Sequence, residues 1–428
     1  MRNIIGGVQW AIFLIASSIA APIAIAHVFE MDTGDTTLFI QRTIFVLGVA
    51  CIVQAFFGHR LPINEGPAGL WWGVFVVYAG MVGVMYPTAA DSLRALQSGM
   101  LYSGVLFIFL ALTGVVTKMK RLFTPAITFT YLLLLILQLS GTFLQGMFGI
   151  ESATDSIDGT VAFGSIVVIF ITFITMNHKS SWVSKYSVLI SIGLGWLLFA
   201  ALGKASHIES KATKLIAFPD VFVYGKPIWD SGMFVTTLFI TLLLIANMMA
   251  SIRVMENLYK HSFAIEVPDR VKEGSIASGI NHLLSGVFSA IGPVPISGAA
   301  GFVGATRMIS IKPFIIGSVI VIGMTLSPAV MSFFATLPAP VAYAVTFAIF
   351  TKMVEMAFTE LATDKNQSQA YKVVAFGLMI GVGLMFMPAT SMASLPNILA
   401  TTLSNGLVTG TIIAMMIEQY LLWKTKAR

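Results

Sequence analysis

The sequence predicts an all-α polytopic membrane protein, and three observations indicate this fold class. Of its 428 residues, 57% are hydrophobic and only 10% are charged, whereas a soluble protein carries about 25% charged residues. Apolar stretches of about 20 residues, the length that crosses a hydrocarbon core, recur along the whole chain. The short alternating segments that are typical of a membrane β-barrel are absent.

The apolar stretches predict fourteen spans, and the basic residues orient them. The predicted spans are residues 5–28, 38–58, 66–86, 96–117, 123–149, 160–177, 183–203, 230–258, 275–291, 298–308, 313–335, 339–359, 369–388 and 396–423. Most of the 25 basic residues fall in the loops of one side, and the exceptions are Arg42, Arg94, Lys204, Lys211, Lys214 and Lys226. The positive-inside rule therefore predicts a plasma-membrane protein with both termini in the cytoplasm.

The longest outer loop, residues 204–230, separates seven predicted spans from the seven that follow. Because an odd number of spans in each half places the halves in opposite orientations, this division predicts an inverted repeat.

Two of the predicted spans, the third and the tenth, cannot be unbroken helices. The stretches concerned are Ile63–Gly73 and Ile291–Arg307. Pro293 and Pro295 remove backbone donors, while glycines such as Gly298 let the backbone turn or approach a ligand. We therefore expect a strand-like or irregular entry followed by a half-helix in each. Broken backbone is tolerated in a bilayer only where protein buries it or where it lines a polar cavity.

The two broken stretches also resemble each other, which points to a binding site. A shift of 232 residues places Gly66 on Gly298, Ala68 on Ala300 and Gly69 on Gly301. Paired hydrophobic segments that glycine or proline interrupts mark the midplane site of transporters built from inverted repeats. The alternative is a pair of unrelated packing kinks.

Three polar residues at membrane depth have open roles. Asn247, in the middle of the eighth predicted span, either joins helices or contacts a ligand, because a buried amide needs partners. Glu65 is either a titratable group beside the site or a solvated residue near Arg60 at the cytoplasmic mouth. For His282 we favour a hydrogen-bonded packing role over a proton relay.

The sequence argues against an enzyme. It contains no H-E-x-x-H motif, no Walker loop and no G-x-S-x-G string, and Cys51 is the single cysteine. No cofactor is therefore expected. The net charge of +6 arises from cytoplasmic loops, so it does not indicate a nucleic-acid partner.

Several segments together resemble the nucleobase/ascorbate transporter family of uracil, xanthine and urate permeases, over essentially the full chain. They are V-Q-W-A-I-F-L-I-A-S-S-I-A-A-P from residue 8, G-H-R-L-P-I-N-E-G-P-A-G-L-W-W-G from residue 58, L-F-T-P-A-I-T-F-T-Y-L-L-L-L-I-L-Q-L from residue 122, A-S-G-I-N-H-L-L-S-G-V-F-S-A-I-G-P through A-T-R from residue 277, and L-P-A-P-V-A-Y-A-V from residue 337. The string N-E-G-P-A-G-L-W-W-G is similar to that of a divergent branch of purine permeases.

The resemblance implies seven plus seven inverted spans in two domains. The core domain would comprise residues 1–117 and 230–337, and the gate domain residues 118–229 and 338–428. It also implies a nucleobase site between the broken spans and the eighth span. The expected substrate-binding residues are Asn247, Ser297, Gly298, Ala299, Gly66, Ala68 and Gly69.

The function that the resemblance implies is a nucleobase permease that works by alternating access, with a purine such as xanthine, urate or hypoxanthine as substrate. Uptake coupled to a proton or another cation, and a homodimer formed through the gate domain, are also implied. The family's glutamate in the eighth span is replaced here by Asn247, which cannot titrate. If the chain is proton-coupled, Glu65 is the first candidate. The alternatives are a small-anion transporter of related fold and a membrane sensor that binds a ligand without transporting it.

Overall fold

The computed structural model describes residues 2–116, 122–150, 156–204 and 215–426 of the chain, and these are predominantly helical. The first half contains α1 (Arg2–Ser18), α2 (Ala20–Val28), α3 (Thr33–Phe56), β1 (Glu65–Pro67), α4 (Gly69–Ala79), α5 (Ala89–Leu112), α6 (Pro125–Met147), α7 (Gly159–Met176), α8 (Ser181–Lys185) and α9 (Ser187–Ala201). The second half contains α10 (Ser231–Phe263), α11 (Val271–Val287), β2 (Pro293–Pro295), α12 (Gly298–Thr306), α13 (Ile311–Thr325), α14 (Pro328–Ala335), α15 (Ala339–Ala362), α16 (Gln367–Met385), a 3₁₀ turn (Ala389–Met392), α17 (Asn397–Ser404) and α18 (Gly406–Lys426).

The length and polarity of these helices are those of a multi-pass membrane protein. Among the described residues, nine helices are long and apolar enough to cross a bilayer when α1 and α2 are counted together as one. A tenth crossing results if α12 and α13, which are bent by 119° relative to each other, are counted together. The helices α4 and α9 are apolar but shorter.

The third and tenth predicted spans are broken as expected, and each begins with a strand. β1 and β2 pair antiparallel, with Gly66 opposite Val294. Outside this pair, the Ala68 amide donates to Gly292 O (3.0 Å) and the Ile296 amide donates to Asn64 O (2.9 Å). Since hydrogen-bonded and non-hydrogen-bonded pairs alternate in such a ladder, the three prolines of the two strands occupy positions where no N–H is required. The alternation P-V-P in β2 therefore fits the pairing.

Polar caps define where several long helices begin. The side chains of Asp32 and Asp230 accept from the third amide of α3 and α10, respectively. Thr88 and Asp91 form a reciprocal capping box at the start of α5. These caps satisfy amides that have no partner within the helix.

Glycines allow the helices of the membrane interior to approach closely. A Cβ atom at Gly104 of α5 would lie 2.8 Å from Gly279 O of α11, and a Cβ atom at Gly279 would lie 2.8 Å from Gly104 O. A similar contact joins α1 to α13, where a Cβ atom at Gly317 would lie 2.8 Å from Gly7 O. Small residues at helix interfaces replace the hydrophobic driving force that lipid does not supply.

The structure differs from several predicted spans. The seventh, 183–203, divides at Tyr186 between α8 and α9, and the fourteenth and the eleventh also divide. The stretch 396–423 was expected to be one helix, but it divides into α17 and α18 because Asn405 leaves helical geometry and its side chain accepts from the Val408 amide (3.2 Å). The stretch 313–335 divides before Pro328, the first residue of α14. The predicted domain boundary at 117/118 and several basic residues lie outside the described residues, namely Lys118, Lys120, Arg121, Lys211, Lys214 and Arg428.

Candidate binding site between two broken spans

The two half-helices begin at the same place. α4 starts at Gly69, two residues after β1, and α12 starts at Gly298, three residues after β2. Because β1 and β2 pair with each other, both helix N-termini lie at the strand crossing. The amides of a helix's first turn have no intrahelical acceptor, and this end carries a partial positive charge. The crossing can therefore bind acceptor oxygens or an anionic group.

The structure changes the alignment of the two broken stretches that the sequence suggested. Gly69 and Gly298 each begin a half-helix, so the equivalent positions differ by 229 residues rather than 232. Gly66 lies in β1 and is not equivalent to Gly298. A few matching glycines and alanines carry little information about register, and this explains the error.

The predicted binding residues occupy both sides of the crossing. Ala68 and Ala299 are fully buried, whereas Ser297 and Gly69 are half-buried and Gly298 is exposed. The Ala299 amide is used within the chain, since it donates to Ile296 O (3.1 Å). Of this set, Ser297 and Gly298 are therefore the most accessible to a ligand.

Helix α10 lies beside the same crossing. The Ser251 hydroxyl donates to the Pro295 carbonyl at the end of β2 (2.7 Å). Asn247 is four residues earlier on α10, about one turn or about 6 Å along the helix axis. It is half-buried, and its side chain makes no hydrogen bond with the described residues. Ser251 was not recognised from the sequence, because a lone serine in an apolar helix gives no specific signal.

One face of α12 is open, whereas α4 is covered. A Cβ atom at Gly301 would have no neighbour within 4 Å, and one at Gly298 would meet only Ile296, at 3.7 Å. A Cβ atom at Gly69 would instead contact Leu135 of α6 (3.6 Å) and Phe350 of α15 (3.7 Å). The exposed part of the crossing therefore lies along the Gly298–Gly301 face.

A separate pocket lies away from the crossing. A cavity of about 340 Å³ lies between the ends of α6, α16 and α18, where Thr124, Asp364 and Glu418 contribute to its lining. The two half-helix N-termini and the Ser251 contact of α10 lie at the crossing instead.

Glu65 is buried inside the helical core. Its side chain is 0% exposed, and neither carboxylate oxygen has a hydrogen-bond partner among the described residues. Its amide donates to Cys51 Sγ of α3 (3.2 Å). Arg60 is exposed and donates instead to Phe56 O (3.0 Å). The alternative of a solvated Glu65 beside Arg60 is therefore excluded in this conformation.

His282 has the packing role that we favoured. Its Nδ1 lies 2.8 Å from Ser278 O, and its Nε2 accepts from the Trp71 indole N–H (3.0 Å). Both ring nitrogens are thus satisfied by a neutral imidazole that carries its hydrogen on Nδ1. The bond fixes α4 against α11, and it leaves the indole N–H of Trp71 unavailable to a ligand.

Comparisons with known proteins agree with this architecture. The family model Xan_ur_permease, described as "Permease family", matches residues 1–390. The chain is 42% identical over 429 residues to "Putative purine permease YwdJ" of Bacillus subtilis (strain 168), which covers 100% of this chain and 97% of that protein. It is 21% identical to "Uric acid permease PucK" of the same organism, covering 97% and 94%.

A solved structure shows the same fold at low sequence identity. The transmembrane domain of the cyanobacterial bicarbonate transporter BicA matches with a TM-score of 0.62 at 13% identity, covering 96% of this chain and 97% of that one. The family match extends over most of the chain and the helices are those of a membrane protein. The chain therefore belongs to this permease family and is a multi-pass membrane transporter, not an enzyme.

Proposed function

We propose that the protein is a nucleobase permease, with purines of the xanthine, urate and hypoxanthine type as substrates, and that it works by alternating access. The observation that carries the proposal is the strand crossing, where two half-helix N-termini meet beside Asn247. Relatives named purine permease and uric acid permease support the choice of substrate.

The chemistry of the crossing suits a flat heterocycle. The Asn247 amide can both donate to and accept from a lactam of the purine ring. The first-turn amides near Ser297 and Gly298 can donate to a ring carbonyl or to a weakly anionic purine such as urate. The proposed binding residues are Asn247, Ser297, Gly298, Ala299, Gly66, Ala68 and Gly69.

Helix packing supports an arrangement of fourteen spans in two inverted halves. Two helices of the first half, α1 and α3, both pack on α13 of the second half. Correspondingly, two helices of the second half, α10 and α11, both pack on α5 of the first half. The pattern of helix contacts is therefore the same when the two halves are exchanged. On this basis, residues 1–117 and 230–337 form the core domain, and residues 118–229 and 338–428 form the gate domain.

Contacts between these domains favour a conformation that is closed on the outer side. The Tyr343 hydroxyl of α15 donates to Ala24 O of α2 (2.9 Å). The Asn397 amide of α17 donates to the Asp230 carboxylate before α10 (3.4 Å). Both contacts join the ends that the charge distribution places outside, whereas the open Gly301 face continues towards the cytoplasmic end of α12. The domains also touch on the cytoplasmic side, where the Lys185 ammonium lies 4.7 Å from the centre of the Phe302 ring. We propose a plasma-membrane protein with cytoplasmic termini.

The proposal is tested with Asn247→Ala, measured by uptake of labelled xanthine, urate and hypoxanthine in cells that lack other purine carriers. Losing two hydrogen bonds of about 1 kcal/mol each is expected to reduce uptake about 30-fold. Asn257→Ala, an exposed site on the same helix, is the matched control and should retain wild-type uptake. Unchanged uptake by Asn247→Ala, at equal amounts in the membrane, would refute the site.

Competition separates the alternatives. Excess unlabelled urate or hypoxanthine should block xanthine uptake, whereas sulfate, bicarbonate and dicarboxylates should have no effect. The opposite pattern would identify a small-anion transporter. Reconstituted vesicles that bind purine but never transport it would identify a ligand sensor.

A further inference from the structure

We infer that Glu65 binds the coupling ion of this carrier, that the ion is a proton, and that its site lies inside the core domain. This site is separate from the proposed substrate niche, which comprises Asn247 and the Gly298–Gly301 face of the crossing. The inference rests on the proposed function, because it concerns what drives purine uptake. It follows from the burial of Glu65, from the residues around it, and from its connection to the crossing.

The burial of Glu65 requires a bound proton in this conformation. Its side chain is 0% exposed and neither carboxylate oxygen has a donor among the described residues. A buried, unpaired carboxylate loses several kcal/mol of hydration free energy that nothing here replaces. The neutral acid carries a much smaller penalty, because a polar group without a net charge is buried. Glu65 is therefore stable here as the carboxylic acid, and it can ionise only in a conformation that admits water or a donor.

The elements around β1 place one titratable group beside Glu65. α3 contributes the Cys51 thiol, whose sulfur accepts from the Glu65 amide. β2 and the membrane-embedded part of α1 contain no titratable residue. No lysine, arginine or histidine is within salt-bridge distance of Glu65 among the described residues. The charge of Glu65 thus depends on its own proton, not on a neighbouring base.

The same surroundings do not suit a metal cation. Hard cations take several oxygen ligands at once, whereas the side chain that α3 places against the Glu65 backbone is a thiol, which is not an oxygen ligand. Asn64 has a buried side-chain oxygen without a donor, but successive side chains of an extended segment point in opposite directions. The Asn64 and Glu65 oxygens therefore do not converge on one ion. A proton requires no such ligand set.

A short chain of contacts connects Glu65 to the niche. Glu65 is opposite Pro295 in the strand pair, and the Pro295 carbonyl accepts from Ser251, one turn from Asn247. Pro295 also leads into the half-helix that begins at Gly298. Hydrating an ionised Glu65 must disturb the strand crossing, and with it both sides of the niche. Protonation of Glu65 therefore favours the assembled niche, and this couples proton binding to purine binding.

The test uses the full-length protein in proteoliposomes. With one proton carried per neutral purine, a gradient of one pH unit should drive about tenfold accumulation of labelled hypoxanthine by the wild type. Glu65→Gln mimics the protonated acid, so it should exchange labelled for unlabelled hypoxanthine but lose the tenfold accumulation. Glu65→Asp should retain part of it, and Glu355→Gln, at an exposed ion pair with Lys352, should behave as wild type.

A measurement on the wild type keeps the inference testable if the variants do not fold. A pH dye should report proton entry into the vesicles when hypoxanthine is added outside. Full pH-driven accumulation by Glu65→Gln, or wild-type transport driven by sodium without proton movement, would overturn the inference. Wild-type vesicles that exchange no purine at all would instead refute the proposed function.

Discussion

Ser251 provides the sharpest test of the assembled niche, because one hydrogen bond joins α10 to the strand crossing. Its hydroxyl donates to the Pro295 carbonyl at 2.7 Å, and the residue is 1% exposed. In Ser251→Ala, water cannot readily replace the lost donor, so the carbonyl is left unsatisfied. We expect α10 to be held less firmly against β2, and Asn247 to be held less firmly beside Gly298.

The size of the effect follows from the energy of a buried hydrogen bond. The loss is worth about 1 kcal/mol in a typical case. If the niche must be assembled to bind purine, the KM for uptake should rise about fivefold. Initial rates of labelled xanthine uptake across a range of concentrations in membrane vesicles measure this directly, with the amount of protein determined in parallel.

Ser275→Ala is the matched control. Ser275 is also buried, but its hydroxyl donates to Val271 O in its own helix, α11 (2.8 Å), and not across the niche. Its KM should stay within about twofold of wild type, because the removed bond is local and helix backbone bonds remain. A wild-type KM in Ser251→Ala, or equal changes in both variants, would show that this bond does not position the niche.

Two further substitutions test the open face and the core packing. Gly301→Leu should abolish purine uptake while the protein still folds, because the leucine side chain enters space with no protein atom within 4 Å of the Cβ position. The control is Gly323→Leu, which is also in open space but on α13, and it should leave uptake unchanged. Wild-type uptake by Gly301→Leu would contradict the assignment of the niche. Gly104→Val should lower the free energy of unfolding by about 1–3 kcal/mol, because the valine side chain would overpack against Gly279 O. Thermal unfolding in detergent would measure the loss of stability. An unchanged unfolding midpoint would show that α5 and α11 can move apart to accept the side chain.

The sequence predicts the breaks well because their cause is local. Proline and glycine alter the backbone wherever they occur, so the two interrupted stretches could be found without knowing their neighbours. The pairing of the strands follows less directly, but prolines at alternate positions of β2 already match the positions that need no donor. The register between the halves was missed by three residues, because glycine matches in so short a stretch fit several shifts equally well.

The environment of Glu65 could not be derived in the same way, because it depends on distant segments. Whether a carboxylate beside a broken span is solvated depends on the segments that pack around it. Here those segments include α3, whose Cys51 sulfur accepts from the Glu65 amide, and β2, which lies beyond residue 290. The difference matters for mechanism. An amide at Asn247 can recognise a purine but cannot hold a transported proton, so coupling needs a second residue. A carboxylic acid sealed behind the crossing can fulfil that role only if the crossing opens during each cycle, and the strands that form the niche are then also the moving part.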